Sequence, residues 1–171
     1  MRQISVEKVT LNIGAGKDQA KLDKGMKLIK GITGDVPVKT FTKKRIQEWG
    51  LRPGLPIGCK LTLRDKKARD LLKRVLEAKD NTLQISNLDD EGNISFGISE
   101  YIDVPGVEYD PDLGIMGFQV CITLQRKGFR IKRRALKRRS IPKKIRIKKE
   151  EAIDFMKNTF NLNIGEENDI Q

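Results

Sequence analysis

Basic side chains dominate the chemistry available to this sequence, and their excess lies in one segment. The chain has 171 residues, with 35 Lys and Arg against 23 Asp and Glu. Residues 126–149, called the basic arm below, contain 14 of these cations and no acid, which leaves 21 basic and 23 acidic residues elsewhere. Guanidinium groups match phosphate oxygens and stack on bases. The arm therefore predicts a polyanionic partner, with nucleic acid as the first candidate and an anionic membrane surface as the second.

The basic arm has two interpretations. Like charges in a run repel one another, which is typical of a flexible, solvated tail. The alternative, which the frequent arginines favour, is a segment that becomes ordered on phosphates and releases counterions as it binds. The arginines expected at that contact are Arg126, Arg130, Arg133, Arg134, Arg138 and Arg139. The interleaved apolar residues, such as Phe129 and Ile141, predict an extended hairpin or a locally packed segment.

Groups suited to catalysis or metal binding are few. The chain has no His, which removes the usual general acid–base near neutral pH and the commonest transition-metal ligand. Cys59 and Cys121 lie in strand-like apolar patterns, and we expect buried free thiols, not a disulfide or a zinc site. Four acidic residues lie close together in the sequence, but their spacing does not match that of a known metal site. They are Asp103, Glu108, Asp110 and Asp112. No cofactor and no metal are expected.

Two glycines, Gly14 and Gly16, stand between a predicted strand and a predicted helix. They lack the third glycine of a dinucleotide fingerprint and the Lys-Ser/Thr of a P-loop. We therefore predict a tight strand-to-helix turn. The alternative is a phosphate site at the helix N-terminus, and that phosphate can equally belong to RNA.

Alternating strands and amphipathic helices are predicted to position these groups. Strands are predicted over 6–13, 36–42, 58–64, 94–98 and 118–126, and helices over 18–32, 65–79 and 150–160, followed by a frayed acidic tail at 166–171. Each main strand has one apolar and one polar face, unlike parallel strands buried on both sides. The predicted fold class is α+β in a single domain, 1–171. An open antiparallel or mixed sheet carries helices on one face, with a long inter-strand loop and the basic arm before the C-terminal helix.

The polar side of this sheet, called the open face below, is a second predicted binding surface. Its side chains are Lys8, Thr10, Asn12, Lys60, Thr62, Arg64, Gln119, Thr123 and Gln125. Hydroxyl, amide and cationic groups suit the phosphates and 2′-hydroxyls of RNA. Scarce aromatic residues disfavour stacking on single-stranded bases. Any half-exposed sheet has a similar pattern, so this pattern alone leaves RNA binding and ordinary solvation equally open.

Residues 43–57 (KKRIQEWGLRPGLPI) are predicted to form the long loop. They include two glycines, two prolines, the only tryptophan, and four basic residues against one acid. Long loops within compact domains are usually functional or disordered.

Several segments resemble the large-subunit ribosomal protein L-five family. They are VEKVTLNIGAG at 6–16 and LRPGLPIGCKLTLRDK at 51–66, extended by GNISFGISE at 92–100 and GFQVCITLQRKGFR at 117–130. The resemblance covers most of the chain. The long arginine-rich arm of this chain is similar to that of archaeal and eukaryotic members of the family. Bacterial members are shorter in this segment, so the chain looks archaeal.

The resemblance implies a protein of the cytoplasmic ribosome that binds 5S rRNA. It implies anchoring of 5S rRNA in the central protuberance and contact with 23S rRNA and neighbouring ribosomal proteins. The implied 5S rRNA surface includes Asn12 to Gly16, with Thr40 and Thr62 on neighbouring strands. The implied contact with P-site tRNA lies in the loop, at Lys43, Lys44, Arg45, Trp49, Gly50, Arg52 and Gly54.

Two other classes of function are kept as alternatives. An RNA-modifying or RNA-cleaving enzyme would use carboxylates such as Asp103 or Asp110 in a pocket that raises their pKa. A general nucleic-acid packaging or membrane-surface protein would use the basic arm alone. The sequence has no run of about 20 apolar residues and no secretory leader, so we expect no membrane partner.

Overall fold

A five-stranded antiparallel sheet organises the part of the chain that the computed structural model describes, residues 3–165. In chain order the elements are β1 (Ile4–Gly14), α1 (Gln19–Thr33), β2 (Val38–Phe41), β3 (Pro56–Leu63), α2 (Asp65–Glu77), β4 (Thr82–Gln84), β5 (Ile94–Ile98), β6 (Phe118–Arg126), α3 (Lys149–Phe160) and β7 (Asn163–Gly165). The sheet order is β2-β3-β1-β6-β5, and β4 pairs with β7 in parallel. The predicted α+β class with an open sheet is confirmed. The predicted acidic tail lies outside the described residues.

The core forms on one face of the sheet, as strand alternation predicts. Val9, Leu11 and Ile13 of β1 are buried, while the residues between them are partly exposed. Helix α1 packs closely on this face at Gly25. A Cβ added at this glycine would lie only 3.2 Å from Ile13 Cγ2. Helix α2 contributes a buried stripe that includes Leu72 and contacts β1. Burial of each such aliphatic side chain contributes about 1.5–3 kcal/mol to the stability of the folded state.

Local signals explain where α1 begins and ends. The carboxylate of Asp18 accepts the backbone N–H of Lys21 at 3.1 Å, which satisfies a donor that the first turn leaves free. Gly34 ends the helix with φ 77°, a left-handed conformation that costs glycine little, and its N–H donates to the Lys30 carbonyl. The helix agrees with the predicted span 18–32 to within one residue at each end.

Strand β2 is an edge strand, as the preceding Pro37 predicts. It pairs with β3 so that Val38 faces Lys60 and Thr40 faces Gly58. Strand β3 begins at Pro56, so the last two residues of the predicted loop 43–57 belong to the sheet. The backbone of Thr42 pairs with that of Leu55, which continues the ladder beyond β2 and shortens the free loop.

A β-bulge interrupts the pairing of β1 with β6. The register shifts between Val6 and Lys8, which leaves Glu7 as the extra residue. The Glu7 side chain is only 3% exposed. A carboxylate is therefore buried at the end of the sheet from which the basic arm departs.

Candidate nucleic-acid interface

The open face forms a continuous polar surface across β3, β1 and β6. Cross-strand register places Thr10 opposite Thr62, and Asn12 between Lys60 and Gln119. The hydroxyls of Thr10 and Thr62 lie 3.3 Å apart, and Asn12 Nδ2 donates to Gln119 Oε1 at 3.2 Å. These contacts hold the polar groups in fixed positions without burying them. The structure thus brings together the residues predicted on this face from three separate sequence segments.

Glycines and a threonine extend this surface at the end of β1. Gly14 lies opposite Gly58 of β3, which in turn lies opposite Thr40 of β2. A Cβ added at Gly58 would lie 3.1 Å from the Thr40 hydroxyl oxygen and 2.5 Å from the Ile13 carbonyl oxygen. The lack of side chains here brings three strands close together and leaves exposed backbone beside the Thr40 hydroxyl.

The turn after β1 is closed by β3. The backbone N–H groups of Ala15 and Gly16 both donate to the Ile57 carbonyl, at 2.9 and 3.0 Å. These two donors are occupied, so they are not available to a phosphate. The geometry confirms the prediction of a tight strand-to-helix turn, with Gly16 in a left-handed conformation at φ 63°.

The basic arm is a locally packed segment. It contains 3-10 turns at Phe129–Lys132 and Lys143–Ile145, and no strand among residues 127–148. The hairpin alternative is therefore wrong. Phe129 and Ile147 are buried in the main core, which fixes both ends of the segment, whereas Leu136 between them is 83% exposed.

Most of the predicted phosphate-binding arginines point to solvent. Arg130, Arg133, Arg134, Arg138 and Arg139 are all exposed. Within residues 3–165, only Arg133 among these five has a carboxylate within 4.0 Å. The charge of the other four is consequently available to an external anion.

Arg126 differs from the other arginines of the arm. Its side chain is 9% exposed, and its Nη2 donates to Glu151 Oε2 of α3. The same carboxylate accepts the backbone N–H of Lys148 at 3.1 Å. The Lys148 N–H and the Arg126 guanidinium hold the pKa of Glu151 below its usual range, against a smaller opposing effect of burial. Arg126 therefore joins β6 to α3, away from the exposed cationic surface.

Glu7 is a functional candidate that the sequence analysis missed. Arg133 Nη1 lies 3.1 Å from its carboxylate, and Arg64 Nη1 and Lys132 Nζ each lie 3.8 Å away. Arg133 also donates to Gln125 Oε1 at 3.0 Å, on the open face. The buried acid thus attaches the first turn of the arm to the sheet. The sequence did contain a sign of this role. Glu7 stands two residues before Val9, so strand alternation assigns this acid to the apolar face.

The loop 43–57 forms an irregular hairpin that continues the β2–β3 edge. Ile46 and Leu51 pair through two backbone hydrogen bonds, and the turn between them closes with the Gly50 N–H on the Gln47 carbonyl at 2.9 Å. Leu51 is buried, whereas Trp49 at the turn is 64% exposed. The other predicted tRNA-contacting residues are exposed as well: Lys43, Lys44, Arg45, Gly50, Arg52 and Gly54.

The acidic loop after β5 has a structural explanation. The Tyr101 hydroxyl accepts the Asp110 N–H at 2.8 Å, and the Asp110 carboxylate accepts the Asp112 N–H at 2.9 Å. Within the described residues, no group of three or more His, Cys, Asp or Glu side chains is arranged to hold a metal ion. The Asp110 carboxylate therefore has a structural role in this loop.

The two cysteines are free, but their environments differ. Cys59 is buried beneath α1, and burial raises the pKa of its thiol. Cys121 lies on the open face and is exposed, so the prediction that both thiols are buried is wrong for Cys121. Among residues 3–165, no helix is both long enough and apolar enough to cross a bilayer.

Comparisons with known proteins agree with this arrangement. Residues 1–52 match the family described as Ribosomal protein L5, and residues 56–155 match the C-terminal region of the same ribosomal family. The chain is 48% identical to the large ribosomal subunit protein uL5 of Sulfurisphaera tokodaii, over 97% of this chain and 94% of that protein. It is 47% identical to uL5 of Nanoarchaeum equitans, over 96% of this chain and 97% of that protein. The chain therefore belongs to the ribosomal protein L5 family, and it is a structural protein of the large ribosomal subunit rather than an enzyme.

Proposed function

We propose that this protein binds 5S rRNA and anchors it to 23S rRNA in the central protuberance of the large ribosomal subunit. The observation that carries the proposal is the position of the arm, which is attached through Glu7 to the end of the open face. The open face supplies hydroxyls and amides for 2′-hydroxyls and phosphates, and the arm supplies unpaired guanidinium groups. Other ribosomal proteins and rRNA surround the molecule in the cytoplasmic ribosome.

The two surfaces have different parts in this proposal. Asn12, Thr40 and Thr62, with the exposed backbone at Gly14 and Gly16, form the part of the 5S rRNA contact that depends on shape. Lys8, Lys60 and Arg64 add cations at its margins. The exposed arginines of the arm, from Arg130 to Arg139, neutralise phosphates. Arg126 supports this surface indirectly, because its guanidinium is bound to Glu151.

We also propose that the loop 43–57 contacts the tRNA in the P site. Its exposed cations, Lys43, Lys44, Arg45 and Arg52, suit a phosphate backbone, and the exposed ring of Trp49 can stack on a base or pack on a ribose. Pairing at Ile46 and Leu51 stiffens the hairpin. The loop can therefore extend as a defined projection from the β2–β3 edge.

Binding of the full-length chain to transcribed 5S rRNA tests the main proposal. We expect the variant Arg138→Ala/Arg139→Ala to bind more weakly and to reduce the log–log salt slope by roughly 1.4–1.8, the value for two phosphate contacts. The variant Lys24→Ala/Lys27→Ala removes two exposed cations from α1 and is the matched control. Equal losses in both variants would show that general charge, and not this surface, determines binding.

A further inference from the structure

The basic arm borders an open cavity at the end of the sheet. The cavity has a volume of about 420 Å³. Its apolar wall is formed by Leu124 of β6 and by Phe129 and Ile147, which fix the two ends of the arm in the core. The middle of the arm forms another wall, through Ser140 and Ile141. The cavity exists because the arm folds back on the domain.

Cations dominate the polar lining of this cavity. Lys132, Arg138, Arg139 and Arg146 line it, against the single acid Glu91. Arg146 Nη1 binds Glu91 at 2.6 Å, and Lys132 Nζ lies 5.6 Å from the centre of the Phe129 ring. Arg138 and Arg139 have no carboxylate within 4.0 Å in the described part of the chain. An occupant with a negatively charged portion is therefore favoured.

We propose that this cavity receives the base of an unpaired RNA nucleotide, whose phosphate lies on Arg138 and Arg139. The inference deepens the proposed function and rests on it, since it assigns one element of the RNA contact to this site. Pockets that bind small ligands have volumes of about 300–1,000 Å³ and combine an apolar wall with polar groups that fix the orientation of the ligand. A flat base fits the apolar wall, and its edge faces the polar atoms of Asn93 and Ser140.

The cavity has both apolar and cationic lining residues, which favours a nucleotide over a simpler anion. A free phosphate needs only the cations and would gain nothing from Leu124, Phe129 and Ile147. A nucleotide uses both portions, because every base has an apolar face that stacks on aromatic or guanidinium planes. Arg138 and Arg139 are exposed and also line the cavity, so an RNA strand bound to them can place one base inside.

Titration of the full-length chain with small probes tests this inference. The probes are the four ribonucleoside monophosphates, ribose 5-phosphate, inorganic phosphate and a short acidic peptide, followed by methyl NMR at Ile141 and Ile147. We expect at least one nucleoside monophosphate to bind at least about fivefold more tightly than ribose 5-phosphate, because the base adds a stacking contribution. Equal binding of ribose 5-phosphate, or tighter binding of the acidic peptide, would overturn the proposal.

A variant that fills the cavity provides the control. Ser140→Tyr is expected to abolish the preference for nucleotides, whereas Leu136→Tyr, at a position of the arm that is 83% exposed, is expected to preserve it. Nucleotide preference that survives Ser140→Tyr contradicts the site. If that variant melts at a lower temperature than the parent, the test uses the parent protein alone. Nucleotide-induced changes in the methyl chemical shifts of Ile141 and Ile147 then show whether the nucleotide binds in the cavity.

Binding of 5S rRNA by the same preparations separates this inference from the proposed function. If 5S rRNA binds and the mononucleotides do not discriminate, only the nucleotide cavity is refuted. If the mononucleotides bind the cavity and 5S rRNA does not bind the chain, the proposed function fails and the cavity stands as a nucleotide site.

Discussion

At the scale of single residues, Gly58 controls how closely the strands of the binding surface approach. A Cβ at this position would lie 2.5 Å from the Ile13 carbonyl oxygen, and that oxygen belongs to the backbone of a paired strand. We expect Gly58→Ala to lower the free energy of unfolding by about 1–3 kcal/mol, the typical cost of overpacking. Chemical denaturation measures this change.

The matched control for Gly58 is Gly97, a glycine of β5 in the same sheet. No atom lies within 4 Å of a Cβ added at Gly97, and its φ is not positive. Gly97→Ala is expected to leave the unfolding free energy nearly unchanged. If both alanine variants are equally stable, close strand approach at Gly58 is not a structural requirement.

Glu151 makes a pH-dependent contribution to stability. Its pKa is lowered in the folded protein by the Lys148 N–H and the Arg126 guanidinium. A depressed carboxyl pKa stabilises the fold above the unfolded value, near 4.3, and this contribution disappears as the pH falls through the lower, folded value. We expect Glu151→Gln to cost about 0.5–1 kcal/mol at pH 7, a modest value because solvent screens a side chain that is 44% exposed.

Thermal unfolding of both proteins between pH 7 and pH 2 measures the effect of Glu151. The two melting temperatures are expected to converge as the pH falls from about 4.3, the ordinary pKa of a glutamate, through the lower folded pKa, below which the parent carboxyl is protonated in the folded state too. A difference that stays constant over this range, or that widens towards low pH, contradicts the assigned role.

At the scale of elements, the first turn of the basic arm depends on Glu7. The buried carboxylate contacts Arg64, Lys132 and Arg133, and their side chains are 40–48% exposed. Because these cations can turn towards water when the acid is removed, we expect Glu7→Gln to loosen the turn without unfolding the sheet. Backbone amides of Ile131 and Arg133 are expected to exchange with solvent about fivefold faster, the equivalent of roughly 1 kcal/mol.

Hydrogen exchange followed by NMR measures this loosening. Glu77→Gln, at an exposed position of α2, is the matched control and is expected to leave the amides of the arm unchanged. Unaltered exchange at Ile131 and Arg133 in the Glu7 variant shows that buried apolar contacts alone hold the arm.

The hairpin 43–57 makes a separate prediction about tRNA. Trp49 is 64% exposed, so Trp49→Ala is expected to preserve the melting temperature and the affinity for 5S rRNA. In reconstituted large subunits, we expect about fivefold weaker binding of P-site tRNA, a value at the low end of aromatic stacking on a base. Ile115→Ala, at an exposed position near the opposite edge of the sheet, is the control. Equal tRNA affinity for both variants removes Trp49 from the proposed contact.

Elements with repeated patterns were predictable from the sequence. Val9, Leu11 and Ile13 alternate over a whole strand, and Asp18 and Gly34 mark the two ends of α1. Strands β4 and β7 were missed because three residues are too few to show a period. For the basic arm the locally packed alternative was predicted, but its packing sites were not, since they depend on Phe129 and Ile147 reaching a core formed by distant segments.

In the candidate site too, features of regular strands were predictable from the sequence, whereas features that depend on tertiary contacts were not. The open face was predicted because alternation along regular strands assigns Thr10 and Thr62 to the polar side, and the structure pairs them. Pairing partners at irregular positions were not predictable: the bulge at Glu7, the cations that bind its carboxylate, and the ion pair that removes Arg126 from the surface all depend on tertiary contacts. Charge density identifies the arm, but only the fold separates its exposed arginines from its structural one.

At the scale of the whole molecule, charge is segregated. The formal net charge of +12 arises from the basic arm, and the remaining residues are close to neutral. A neutral fold avoids repulsion within its core, while the concentrated cations provide long-range attraction to RNA. Attachment of the arm at Glu7 and α3 keeps that charge beside the open face. In the proposed function, phosphate neutralisation and contact with shaped RNA are thereby combined on one surface.

The affinity of the full-length chain for 5S rRNA as a function of salt tests this claim most directly. If the arm neutralises about eight phosphates, log Kobs is expected to fall with log salt with a slope of about −6 to −7. At fixed salt, 5S rRNA is expected to outcompete an equal mass of duplex DNA, because the open face adds contacts that only the folded RNA satisfies. A folded protein whose binding ignores salt, or which prefers duplex DNA, would contradict the account.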